Sequence, residues 1–130
     1  MKNISVIIGH GIDLVEVKRM RKMIRRFGKR FLDKIFTPSE QKYCRSKTTP
    51  ALHFSSRFAA KEACLKALQT GFSNGMFFKS ISVETKSSGA PTLKLTGSVL
   101  KRAKKMGAKH FFVSLSDEAS MAMASVILTK

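Results

Sequence analysis

Two carboxylates, Asp13 and Glu62, offer the clearest chemistry in this sequence. Lys and Arg together number 25, against 8 for Asp and Glu. Every carboxylate therefore has many counter-charges, and one at an awkward position invites a reason. On a helical wheel Glu62 falls between Phe58 and Leu65, beside large apolar side chains. A carboxylate there is costly unless it is paired or holds a metal. Asp13 follows a short apolar run and the glycines Gly9 and Gly11, where a hard-metal ligand can stand at the end of a strand. Two carboxylates from distant segments, completed by phosphate oxygens and water, are how Mg²⁺ is held in phosphoryl-transfer sites. Each residue also has a plainer reading. Asp13 can cap the helix that follows it, with Glu16 reaching back. Glu62 can pair with Lys66 four residues on, with Arg57 and Lys61 forming a solvated edge. Spacing alone leaves both readings open.

The elements that must position these residues follow from periodicity. Ile4 to Ile8 reads as a buried strand, after which Gly9-His10-Gly11 lets the backbone turn or approach something closely. Beyond Asp13, Val17, Met20, Ile24, Phe27 and Phe31 recur at helical spacing, and basic residues fill the rest of the circumference. Gly28 weakens or bends that helix. Thr37-Pro38-Ser39-Glu40 reads as a capping box with proline at the first helical position, and its helix ends near Ser46. Leu52 to Gln69 is the next helix, ended by Gly71, and its small and apolar residues cover nearly every side. After a loop through Gly75, Ile81 and Val83 mark a strand, Ser87 to Pro91 a turn, and Leu93 and Leu95 the return strand. A helix from Val99 to Met106 closes at Gly107, and strands at Phe111–Leu115 and Met121–Leu128 finish the chain. The order specifies one α+β domain over residues 1–130, and the apolar last strand is compatible with burial on both faces.

Length and composition bound the possibilities. The chain has 130 residues, a formal charge of +17 and a hydrophobic fraction of 43%, which excludes a disordered basic tail. No apolar run reaches the ~18 residues of a membrane span. The N-terminus meets His10 and Asp13 too soon for a signal peptide. Cys44 and Cys64 form no C-x-x-C, which argues against a zinc site or disulfide scaffold and for a reducing cytoplasm. The charge implies acidic partners. Nine basic residues lie between Lys18 and Lys34, and Lys101, Arg102, Lys104 and Lys105 form a second cluster. A small basic nucleic-acid-binding protein is the alternative this pattern allows. Against base readout, the chain has no Trp, one Tyr and no Asn or Gln in the basic stretch. It shows no zinc-finger or helix-turn-helix signature, no phosphate loop and no nucleophile elbow.

Taken together the motifs resemble a known family. Gly9-His10-Gly11-Ile12-Asp13-Leu14, Phe36-Thr37-Pro38-Ser39-Glu40 with Tyr43, Arg57-Phe58-Ala59-Ala60-Lys61-Glu62-Ala63 with Lys66-Ala67, Gly89-x-Pro91 with Leu93, Leu95 and Gly97, and Val113-Ser114-Leu115-Ser116 follow, in order, the pattern of the holo-acyl-carrier-protein synthases. The resemblance implies the 4′-phosphopantetheinyl transferase fold, an antiparallel sheet packed on a long central helix. It implies a cytoplasmic enzyme of fatty acid biosynthesis. The phosphopantetheine arm of coenzyme A would pass to a serine of apo-acyl carrier protein, releasing adenosine 3′,5′-bisphosphate. It further implies Mg²⁺ on Asp13 and Glu62, coenzyme A phosphates on Arg57, Lys61 and Lys66, and catalytic roles for Glu62, Lys61 and Lys66. Carrier protein would dock on Lys18, Arg19, Arg21, Lys22 and Arg25, and the assembly would be a homotrimer without nucleic acid or membrane as partner. Two positions depart from the pattern. Ser56 replaces a usual glycine, and Asp117 stands where many members carry histidine, so no histidine role transfers to that point. Whether Glu62 or a water takes the serine proton stays open.

Overall fold

The computed structural model describes residues 6–70 and 77–130. A three-stranded antiparallel sheet is built from β1 (Ile7–Glu16), β4 (His110–Asp117) and β5 (Met121–Thr129), with β5 in the middle. β2 (Ile81–Thr85) and β3 (Pro91–Leu95) form a separate hairpin. The helices are α1 (Val17–Ile35), α2 (Pro38–Arg45), α3 (Pro50–Ala67) and α4 (Gly97–Met106). The expected α+β class holds, with α3 as the central helix packed on the larger sheet.

α3 can be central because its residues are small. Ala59, Ala60, Ala63, Cys64 and Ala67 are all fully buried. β1 crosses it at very short range. A Cβ on Gly11 would fall into the Ala63 carbonyl, and one on Gly9 into that of Ala67. The two glycines therefore make no turn. β1 continues through them, with a shift of register between Ile7 and Gly9, where the sequence suggested a strand ending at Ile8, and glycine serves close approach of backbone to backbone. The start of that expected strand, the Gly71 stop and the Gly75 loop lie outside the described residues.

Side chains alternate along β1, so Asp13 shares the helix-facing side with Gly9 and Gly11. β5 alternates as well. Ala122, Ala124, Val126 and Leu128 are buried toward α3, while Met123 is exposed on the other side. The last strand is thus covered on one face, not two. Its outer face continues into Ile12 and Leu14 of β1 and Phe112 of β4, all exposed.

α1 is two helical pieces joined at Gly28, which has φ 56° and ψ −138°. The break re-aims the second piece. Leu32 and Ile35 enter the core, and Phe27, expected in the apolar stripe, is 47% exposed beneath the Arg26 guanidinium. The Thr37–Glu40 capping box is present with both of its hydrogen bonds. Within the second basic cluster, Arg102 secures the end of α3. Its Nε donates to the Leu68 carbonyl, 3.0 Å away.

Candidate active site

Asp13 and Glu62 line one cavity of about 350 Å³, with Arg19 also on its wall and Met20, Met23, Phe31 and Phe58 supplying apolar surface. Each arrives there for a local reason. Strand alternation turns Asp13 toward α3, and the Gly11–Ala63 contact brings the helix close enough for Glu62, one residue before Ala63, to face the same space. Asp13 is not a helix cap. It lies inside β1, and the residue at the α1 N-cap is Glu16, whose side chain makes no capping bond. The i,i+4 pairing of Glu62 with Lys66 is not made either. The Lys66 ammonium donates to Asp13 Oδ1 at 3.0 Å and to the Ile12 carbonyl at 2.9 Å.

The electrostatics match this arrangement. Burial, and then the neighbouring Asp13 charge, push the Glu62 carboxyl up from the usual carboxylate range, with Lys66 opposing. The two carboxylates are therefore near enough to repel, which is the condition under which a shared cation is welcome. Both are hard oxygen donors. Among the described residues no group of three or more His, Cys, Asp or Glu could enclose a metal. A two-carboxylate set suits Mg²⁺, which keeps waters and takes substrate phosphate oxygens for its remaining positions.

Lys61 requires a correction. The motif suggested that it faces coenzyme A, but it is fully buried on the opposite side of α3. Its ammonium meets Glu40 at 2.8 Å, donates to the Phe78 carbonyl at 3.0 Å, and donates to the Ile81 carbonyl. All three N–H groups are used inside the protein, so none is left for a phosphate. Glu40 in turn accepts from the backbone N–H of Thr37 and of Val83 at 2.8 and 2.7 Å. The pair ties α3, α2 and β2 together, and Glu40 is a structural residue that sequence reasoning saw only as a cap. Burial pushes the Lys61 amine down and Glu40 pushes it back up.

Arg57 is also buried, so the solvated edge expected of Arg57 and Lys61 does not exist. Its guanidinium stacks 4.2 Å over the Tyr43 ring and donates to Thr85 Oγ1 at 3.3 Å, while its Nε is buried with no partner. Tyr43 and Thr85 line a second cavity of about 370 Å³ that shares no lining residue with the first. His53 packs edge-on against Tyr43 with ring centroids 6.0 Å apart. Burial and then Arg57 hold His53 below its ordinary range, while Asp117 pulls the other way. No spacing in the chain signals this histidine's position, because only the fold brings β4 to the start of α3.

The five basic residues expected to meet a partner divide by helical geometry. Arg19 lies on the flank of α1 that faces the carboxylates. Arg21 and Arg25, about 160° and 120° around the helix from it, border a different groove with Ile24, Leu32 and Phe54. Lys18 and Lys22 occupy the exposed outer edge. Closeness in sequence to Asp13 therefore does not put Arg21 beside it. Cys44 and Cys64 are free and buried, and burial raises both thiols to about 12, which makes them inert.

Residues 9–124 match the pattern described as the 4′-phosphopantetheinyl transferase superfamily, and the chain belongs to it. Within that class it is similar to holo-[acyl-carrier-protein] synthases. It is 42% identical over 123 residues to the holo-[acyl-carrier-protein] synthase of Koribacter versatilis, covering 95% of this chain and 98% of that protein. It is 41% identical over 125 residues to the enzyme of the same name from Maridesulfovibrio salexigens, covering 96% and 100%. The crystal structure of the Neisseria meningitidis holo-[acyl-carrier-protein] synthase superposes with a TM-score of 0.87 at 31% identity, covering 96% of this chain and all of that one. The Helicobacter pylori synthase in complex with coenzyme A superposes at 0.81 and 31% identity, covering 92% and 98%. No described helix is long and apolar enough to cross a membrane.

Proposed function

We propose that this protein transfers 4′-phosphopantetheine from coenzyme A to a serine of apo-acyl carrier protein. The observation that carries the reading is the convergence of Asp13 from β1 and Glu62 from α3 on one cavity, with Lys66 against Asp13 and Arg19 on the wall. Family membership and the names of the relatives support it. Asp13 and Glu62 are the residues that would hold Mg²⁺, which when bound neutralises pyrophosphate and polarises the phosphorus under attack. The serine oxygen forms a new bond to the phosphorus bearing the pantetheine arm, and the bond to adenosine 3′,5′-bisphosphate breaks. Glu62, facing the cavity, or a water beside it receives the serine proton. Lys66 meets the phosphate charge, and the apolar walls from Met20 to Phe58 exclude water beside the reacting bond. Lys61 takes no part in this reading, and Arg57, stacked on Tyr43 and bonded to Thr85 of the second cavity's wall, supplies positive charge to a coenzyme A phosphate there.

Arg19 provides the contact nearest the reacting centre for an acidic carrier protein, and Lys18 and Lys22 steer its approach. The exposed apolar face formed by Ile12, Leu14, Phe112 and Met123 is the surface for self-association into a trimer. A cytoplasmic location and a place in fatty acid synthesis complete the reading. The nucleic-acid alternative has no use for Asp13 and Glu62 in one cavity. Mass spectrometry of apo-acyl carrier protein after incubation with this protein, coenzyme A and Mg²⁺ tests the proposal. A gain of one phosphopantetheine, abolished by EDTA, is the expected result, and no transfer to any of several carriers overturns it.

A further inference from the structure

Resting on the reading of Asp13 and Glu62 as cation ligands, we propose that Lys66 is a resident counter-ion of that pair. A divalent cation must displace it, and the phosphates of coenzyme A receive it once displaced. Lys66 therefore couples metal binding to coenzyme A binding.

Two observations lead there. First, the ammonium engages Asp13 Oδ1 at 3.0 Å and anchors on the Ile12 carbonyl at 2.9 Å, so it already neutralises the carboxylate whose charge a cation would use. Second, the two partners differ in exposure. The Lys66 side chain is 55% exposed and that of Asp13 only 17%, so the lysine is the member that solvent can take up. An ion pair exposed to this degree is weak and exchangeable, and a lysine's flexible stem can withdraw its charge without moving the helix.

Two positive charges beside one carboxylate repel, so metal binding and lysine departure are linked. Among the described residues the ammonium forms its ion pair with Asp13, and pyrophosphate provides a second anion to meet. By linkage, coenzyme A then raises metal affinity and metal raises coenzyme A affinity by the same factor. Lys61, whose three donors are fixed in the core, has no such freedom.

The test is calorimetric titration of Mg²⁺ into the full chain, with and without coenzyme A, for the wild type and Lys66→Met. Lys66→Gln serves as a second variant that keeps a polar stem, and circular dichroism verifies the fold of each. Without coenzyme A, Lys66→Met should bind Mg²⁺ about fivefold more tightly, the scale of an exposed ion pair. Coenzyme A should tighten Mg²⁺ binding to the wild type by a larger factor than to the variants. Asp13→Asn in the Lys66→Met background should remove the gain. Folded Lys66 variants that bind Mg²⁺ no better than the wild type overturn the inference while leaving the metal site standing. Absence of Mg²⁺ binding in every protein, with and without coenzyme A, overturns the metal reading and this inference with it.

Discussion

Lys61 and Lys66 stand five residues apart on α3, and each meets a carboxylate, at 2.8 Å and 3.0 Å respectively. In sequence they look like two copies of one feature, a basic residue flanking Glu62. In the structure Lys61 and Glu40 are completely buried, with their remaining hydrogen-bonding capacity spent on backbone groups of the surrounding segments. Lys66 stands against Asp13 of the reactive cavity and is more than half exposed. A helix turns 100° per residue, so five residues carry the two side chains about 140° apart, enough to separate core from site. Burial decides the role. A walled-in pair cannot exchange partners and organises the fold, whereas an open pair can give up its partner to a cation or a phosphate.

The largest effect is expected where the walled-in pair is broken. Lys61→Met leaves Glu40 charged in the core and should lower the unfolding free energy by about 3–5 kcal/mol. The double variant Lys61→Met, Glu40→Leu should recover part of it, as read by urea denaturation. A Lys61→Met protein as stable as the wild type would dissolve the contrast between the two lysines.

At the open site the effects appear in kinetics. Arg19→Glu should raise the KM for carrier protein by about tenfold while leaving that for coenzyme A nearly unchanged, since it reverses one charge of a docking surface. Arg21→Glu, on the other flank of α1, should do less. Equal effects from the two would return both arginines to one undivided cationic face.

A smaller, opposite-signed effect belongs to Glu62. Its folded-state carboxyl is raised, so the ionised form costs stability at pH values above that raised range, and the cost disappears as pH falls through it. Glu62→Gln should therefore raise Tm slightly at neutral pH while removing turnover. The wild-type stability gap to Glu62→Gln should close on the acid side. A variant melting well below the wild type at neutral pH would make Glu62 a structural ion-pair member.

Features that depend on neighbours in the chain were legible in the sequence. Thr37, Pro38 and Glu40 sit within one turn, so the helix start could be read. So could the hairpin turn before Pro91 and the helix stop at Gly107, where φ is 87°. The burial of α3 was legible from its alanines. The reason for Gly9 and Gly11 was not, because it depends on the carbonyls of Ala63 and Ala67, far along the chain. Glu40 hid its second role for the same reason, its partner Lys61 lying on the next helix. Asp13 and Glu62 were legible as candidates through their awkward settings, and the resemblance joined them. The division of labour between Lys61 and Lys66, and between Arg19 and Arg21, required the third dimension.

The central claim is that Asp13 and Glu62 form the reacting centre of a phosphopantetheinyl transferase. The most direct measurement is the rate at which apo-acyl carrier protein gains one 4′-phosphopantetheine, followed by intact-mass spectrometry with coenzyme A and Mg²⁺. It compares the wild type with an Asp13→Asn protein of matched Tm. The expected result is transfer by the wild type and a rate lower by on the order of 10²–10³ for Asp13→Asn, the scale of losing one group that stabilises transition-state charge. Transfer by Asp13→Asn at the wild-type rate would contradict the claim.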